Sequence, residues 1–171
     1  MKIYGVTGWK NAGKTGLVER LVTEMVARGL TVSTLKHAHH ETEIDHPGRD
    51  SYRHRQAGAH EVLVSSPQRW ALMHELRGAP EPALDDLLAR LSPVDLVLIE
   101  GYKRAPHPKI EAHRLETGHP LLAPGNPSVR AVASDVGAGD PALAGVTVPV
   151  LPLDDTGAIA DFILRDLGLA R

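Results

Sequence analysis

Among its 171 residues the chain has no cysteine. That excludes disulfides, thiolate metal sites and a cysteine nucleophile together, and it suits a reducing compartment. No apolar run approaches the roughly 18 to 20 residues that a membrane-spanning helix needs. There is no excess of basic charge: 19 lysines and arginines stand against 21 aspartates and glutamates, a formal charge of -2. Nucleic acid is therefore not the expected partner, and the ligand is expected to be small. Internal repeats and low-complexity tails are also absent. The start, Met1-Lys2-Ile3-Tyr4, enters a strand-like run at once, with no charged head or cleavage site of a signal peptide, so the expected location is the cytoplasm. With 42% hydrophobic residues, the length suits one α/β domain with its own core.

What is present is a complete G-x-x-x-x-G-K-[ST] loop, Gly8-Trp9-Lys10-Asn11-Ala12-Gly13-Lys14-Thr15. Successive backbone N–H groups can curl around phosphate only where bulky Cβ atoms are missing from the tight points, hence Gly8 and Gly13. Lys14 is placed to reach the outer phosphates and Thr15 to ligate magnesium. The expected phosphate-binding residues are Gly8, Asn11, Ala12, Gly13, Lys14, Thr15 and Gly16. Context supports the motif. Ile3 to Val6 reads as the strand before it. Leu17, Val18, Leu21, Val22, Met25 and Val26 recur at helical spacing after it, and Gly29 stands where the helix should stop. The dipole of that helix favours an anion at its start.

Further along, Leu30 to Leu35 reads as a second strand, and His37 to His60 as a long polar loop holding six of the ten histidines. Glu61 to Ser65 and Arg69 to Leu76 read as strands about a Ser66-Pro67 turn. Leu84, Leu87, Leu88 and Leu91 mark a short amphipathic helix. Leu96 to Ile99 is a continuous apolar run, as in a strand buried on both faces. Val129 to Ala133 and Val146 to Leu151 suggest two more strands, and Ile159, Phe162, Ile163 and Leu167 a closing helix. Alternating strands and helices predict an α/β fold with a mostly parallel sheet and helices on both faces, of P-loop NTPase type. Ligands then sit at the carboxyl ends of the strands, where the loops beginning at Gly8, Lys36, Glu100 and Ser134 converge.

Magnesium bridging two phosphates takes oxygen ligands at about 2.1 Å, so one or two carboxylates suffice. Glu100, at the end of an apolar strand, is the best placed; it either holds the metal, orients the attacking water, or simply caps a turn with Gly101. Asp45 and Asp50 in the polar loop are further metal candidates, with surface carboxylates as the alternative. His37, His39, His40 and His46 suggest zinc or nickel, or hydrogen bonding to phosphate or backbone. Asp135, after Ser134, is suited to accept from both N1–H and N2–H of guanine, or to cap a turn. Lys10 either meets phosphate or faces solvent.

Taken together, these segments resemble the molybdopterin-guanine dinucleotide biosynthesis protein B (MobB) family. The resemblance rests on Gly8 to Thr15, Lys36-His37, Asp45-x-Pro47-Gly48-x-Asp50-Ser51, Ala57-Gly58-Ala59, Arg69-Trp70-Ala71-Leu72-Met73, Leu96 to Lys103 and Ala131 to Asp135. It leaves Lys109 to Ser128 unmatched. It implies a homodimer that binds GTP and Mg2+, with weak GTPase activity. It also implies partners, the molybdenum cofactor guanylyltransferase and a molybdenum-insertion protein. By position it implies Gly13, Lys14 and Thr15 on phosphate and magnesium, Glu100 as the second-motif acid, and Asp135 on guanine. A nickel or zinc metallochaperone GTPase and a small-molecule P-loop kinase are the alternatives.

Overall fold

The computed structural model describes residues 1–38 and 43–169. The chain divides into two compact units, Met1–His37 with Pro93–Arg171, and Ala38–Ser92.

The first unit is built on a six-stranded sheet. Its strands are β1 (Lys2–Thr7), β2 (Val32–Lys36), β5 (Leu96–Glu100), β6 (Lys109–His113), β7 (Val129–Ser134) and β8 (Val150–Pro152), in the order β2-β5-β1-β6-β7-β8. All five pairings are parallel. Helix α1 (Lys14–Ala27) follows β1, and α4 (Thr156–Asp166) follows β8. The expected mostly parallel α/β sheet is what forms.

Strand alternation divides the sheet into two chemically different faces. Tyr4 and Val6 of β1, Leu96 and Leu98 of β5, Ile110 and Ala112 of β6, and Ala131 and Ala133 of β7 share one apolar cluster. Leu17, Leu21 and Met25 of α1 and Ile159 and Ile163 of α4 complete it. Tyr4 buries its ring there and donates its hydroxyl to Asp166 Oδ2 at 3.1 Å. The other face carries Thr7, Lys109, Glu111 and His113, all buried. Within this unit the long connections β5–β6 and β6–β7 cover it. Lys109 Nζ donates to the Ala105 carbonyl and to Ser128 Oγ, and Glu111 accepts from the backbone amides of Leu122 and Ala123.

β6 lies within the stretch that sequence reasoning left unassigned. Three of its five residues are ionisable, so it does not read as an interior strand, yet all five are buried. β8 is shorter than the expected Val146 to Leu151, because Val146 is still in a turn, its amide donating to the Leu143 carbonyl.

In the second unit, β3 (Glu61–Ser65) and β4 (Trp70–His74) pair antiparallel about the expected Ser66 turn. Helix α3 spans Leu84–Leu88. The polar segment His37 to His60 is not simply a loop, since α2 occupies Asp50–Gln56. That helix has no buried residue and so no apolar stripe to betray it. Arg55 anchors it, binding Glu43 and, at 2.7 Å, Glu75.

Candidate functional site

The loop from Gly8 to Gly13 crosses the carboxyl edge of the sheet between β1 and α1. Gly8 is required there: a Cβ on it would lie 2.4 Å from the Ala112 carbonyl oxygen of β6, and its φ is +139°. Asn11 and Gly13 also take left-handed backbone conformations, with φ of +66° and +89°. Gly13 caps α1, whose first residues are Lys14, Thr15 and Gly16. Ala12, within the loop, is buried.

Three strand ends meet beside this loop. The His37 amide donates to the Glu100 carbonyl at 2.9 Å and the Gly101 amide to the Val6 carbonyl at 3.0 Å, which fixes Glu100 between β1 and β2. The Glu100 carboxylate is 8% exposed as a residue and accepts from Thr15 Oγ1 at 3.0 Å; Lys36 Nζ stands 3.6 Å from the same oxygen. The two side chains expected on magnesium are thus brought together. Their hydroxyl and carboxylate oxygens are the hard donors that ion prefers.

Lys14 Nζ donates to the Trp9 carbonyl at 2.6 Å. Burial lowers its pKa, opposed by Glu100 and assisted by the cations Lys103 and Lys36. Positive charge is concentrated here against one carboxylate, a field suited to an anion. Lys103 and Lys36 were not assigned this role from sequence.

Trp9 ties the loop to the β6–β7 connection. Its indole N–H donates to the Pro120 carbonyl at 2.7 Å, its ring lies 5.1 Å from that of His119, and Lys103 Nζ is 3.9 Å from its centroid. Glu111 holds the same connection from beneath, through the Leu122 and Ala123 amides at 2.8 Å. Burial raises the Glu111 pKa, and those two amides work in the opposite direction.

Ser134 is buried, its hydroxyl 2.9 Å from His113 Nδ1 and accepting from the Val136 amide. Asp135 is exposed and takes the Leu115 amide on Oδ1 at 3.0 Å. Lys10 faces solvent. Asp45 and Asp50 belong to the second unit; Asp50 opens α2, and Asp45 Oδ2 stands 3.9 Å from Arg55 Nε. His37 stacks on Tyr102 with centroids 4.4 Å apart, and His46 is exposed. His39 and His40 lie outside the described residues, and among the described residues no group of three His, Asp or Glu side chains is arranged to hold a metal. No described helix is long and apolar enough to cross a membrane.

With this geometry in place, sequence comparison decides the family. Residues 3–135, well over half of the chain, match the profile of the family described as molybdopterin guanine dinucleotide synthesis protein B. The chain belongs to the MobB family. A molybdopterin-guanine dinucleotide biosynthesis adapter protein of Escherichia coli is 39% identical over 166 residues, 95% of this chain and 91% of the relative. One from Haemophilus influenzae is 43% identical over 122 residues, 70% and 67% of the two chains. Among solved structures, Bacillus subtilis MobB superposes with a TM-score of 0.76 at 27% identity, covering 98% of each chain. A MobB homologue from Bacillus stearothermophilus gives 0.73 at 28%, covering 99% and 100%. The family resemblance and the mostly parallel α/β sheet expected from sequence are both borne out, but the helices expected on both faces differ. α1 and α4 pack on the same face, because the polar residues of β6 turn the other toward the connections around it.

Proposed function

We propose that this MobB chain binds GTP with Mg2+, hydrolyses it slowly, and acts as an adapter in molybdopterin-guanine dinucleotide biosynthesis. The observation that carries the nucleotide reading is the Thr15–Glu100 hydrogen bond, which joins the last residue of the phosphate loop to the acid at the end of β5. Thr15 and Glu100 are the residues to hold magnesium, which supplies charge neutralisation between phosphate oxygens. Lys14 leaves the Trp9 carbonyl for the outer phosphates, and the amides from Gly8 to Gly16 line the cradle. Catalysis by positioning and charge alone is slow. Asp135 keeps Oδ2 outside its bond to Leu115, and we assign guanine reading to it and to the Ser134 turn.

The adapter role follows the description of the Escherichia coli and Haemophilus influenzae relatives. Its expected partners are the guanylyltransferase and a molybdenum-insertion protein, with nucleotide state controlling their docking. A homodimer is supported by the β3–β4 hairpin, where Leu63, Trp70 and Leu72 share one face and are exposed. A lone two-stranded hairpin is marginal in water, and a second copy would cover this face.

The deciding experiment is a calorimetric titration with GTP and ATP in magnesium buffer. Tighter binding of GTP is expected. No heat with either nucleotide rejects the reading, and a preference for ATP favours the kinase alternative. Pull-down of the guanylyltransferase with GTP, with GDP and without nucleotide tests the adapter role, which fails if all three are equal. Light scattering should give twice the chain mass, and Leu72→Glu should halve it.

A further inference from the structure

Three arginines in the described chain are partly buried: Arg20, Arg55 and Arg114. Two have evident partners. Arg20 donates to Thr156 Oγ1 and the Leu153 carbonyl, and Arg55 binds Glu43 and Glu75. Arg114 is different. Its backbone is held, since its carbonyl accepts from the Thr117 hydroxyl at 2.8 Å and the Asp135 carboxylate pins the next amide, that of Leu115, at 3.0 Å. Among the described residues its guanidinium has no hydrogen bond to an acceptor and no ion pair. Its nitrogens stay open to solvent, so its five N–H donors are available to an arriving ligand.

The position of that guanidinium is specific. β6 lies beside β1 and ends at His113, so Arg114 emerges at the same sheet edge as the phosphate loop. A Cβ built on Gly13 would lie 3.1 Å from Arg114 Nε and 3.8 Å from Nη2, with Leu153 Cδ2 at 3.5 Å. The side chain therefore lies against the glycine that caps α1. The cations Lys36 and Lys103 that act on Lys14 belong to β2 and the β5–β6 connection, whereas Arg114 comes from the end of β6.

We infer that Arg114 is a nucleotide contact, whose planar fork takes phosphate oxygens at the inner end of the phosphate chain, the end that nucleoside di- and triphosphates share. The inference rests on the nucleotide-binding reading above. In such a loop the backbone cradles the inner phosphates while the lysine side chain reaches the outer ones, and Arg114 lies on the backbone at Gly13. A guanidinium suits paired phosphate oxygens better than an ammonium does, because its donors are fixed in one plane. Arg114 therefore acts in holding nucleotide rather than on the bond that breaks.

Fluorescence titrations of wild type, Arg114→Gln and Arg114→Lys with GTP and with GDP test this, together with single-turnover hydrolysis at saturating GTP. Loss of a charge-assisted contact should weaken GTP and GDP alike, by about tenfold or more in R114Q, and R114K should recover only part. The saturated hydrolysis rate should stay within about threefold of wild type, a smaller change than loss of a transition-state contact produces. Wild-type affinity in R114Q overturns the inference and leaves the nucleotide reading standing. A fall in hydrolysis rate with unchanged GDP affinity also overturns it, because that marks a transition-state role. If wild type itself binds neither nucleotide, both fall.

Discussion

The Lys14 ammonium donates to the carbonyl of Trp9 within its own loop, at 2.6 Å. An amine bonded this way is held ready at the rim of the cradle, and among the described residues this is its one hydrogen bond to exchange for phosphate. Lys14→Ala should therefore lower GTP affinity by about tenfold or more and slow hydrolysis further, since the charge it supplies acts most strongly on the developing transition state. Calorimetry and phosphate release measure the two effects. Equal rates in wild type and variant would remove Lys14 from the site.

Gly8 faces the backbone of β6 rather than open solvent. Gly8→Ala places a methyl 2.4 Å from the Ala112 oxygen at a φ of +139°. Either the loop lifts or β6 shifts, and we expect a cost of about 2 to 4 kcal/mol in urea unfolding along with lost nucleotide binding. A variant as stable as wild type would show that the loop has slack.

Glu111 is the buried counterpart of Trp9, each holding the β6–β7 connection. Glu111→Ala leaves the Leu122 and Ala123 amides without their acceptor and should destabilise the protein by about 2 to 4 kcal/mol. Because Pro120 holds the Trp9 indole, the variant should also change the Trp9 emission measured in a Trp70→Phe background. Unchanged emission would separate the two ends of this connection.

His107 gives the fold a pH dependence whose sign is fixed. It is 6% exposed, both ring nitrogens lack hydrogen-bond partners among the described residues, and burial beside Lys109 pushes its pKa from near 6.5 down to about 4. Between these values the unfolded chain takes up a proton that the folded chain refuses. Stability is therefore full above about pH 6.5 and falls as the pH drops toward 4, by up to about 3 kcal/mol. Urea unfolding at pH 7 and pH 4.5 should show a loss in wild type that is smaller in His107→Phe. Parallel losses would exclude the imidazole as the source. Burial also brings Lys109 down to about 8, so its contribution rises with pH between that value and its ordinary one.

Those parts of the molecule that were legible in the sequence are the ones where a single pattern dominates. β1, the phosphate loop and α1 show a short apolar run, fixed glycines and a 3.6-residue period. β5 shows an uninterrupted apolar run ending in Glu100. β6 has a signal too, Ile110 and Ala112 alternating with Lys109, Glu111 and His113 after Pro108, but alternation over five residues looks like an exposed strand. Lys109 and Glu111 are buried because the connections on either side supply hydrogen bonds, and His113 because Ser134 of β7 does, and that pairing is tertiary. For the same reason Trp9–Pro120 and Arg114–Gly13 cannot be read from spacing: each joins residues about a hundred positions apart. α2 was missed because ion pairs through Arg55, not an apolar stripe, hold it.

The division of β6 between two faces also bears on how the sheet assembles. A slip of one position would drive an amine, a carboxylate and an imidazole under the two long helices while turning Ile110 and Ala112 toward amides that need acceptors. Such misaligned states are so costly that the strand acts as a ratchet pawl for its neighbours. Once it is seated between β1 and β7, the alignment on either side is settled.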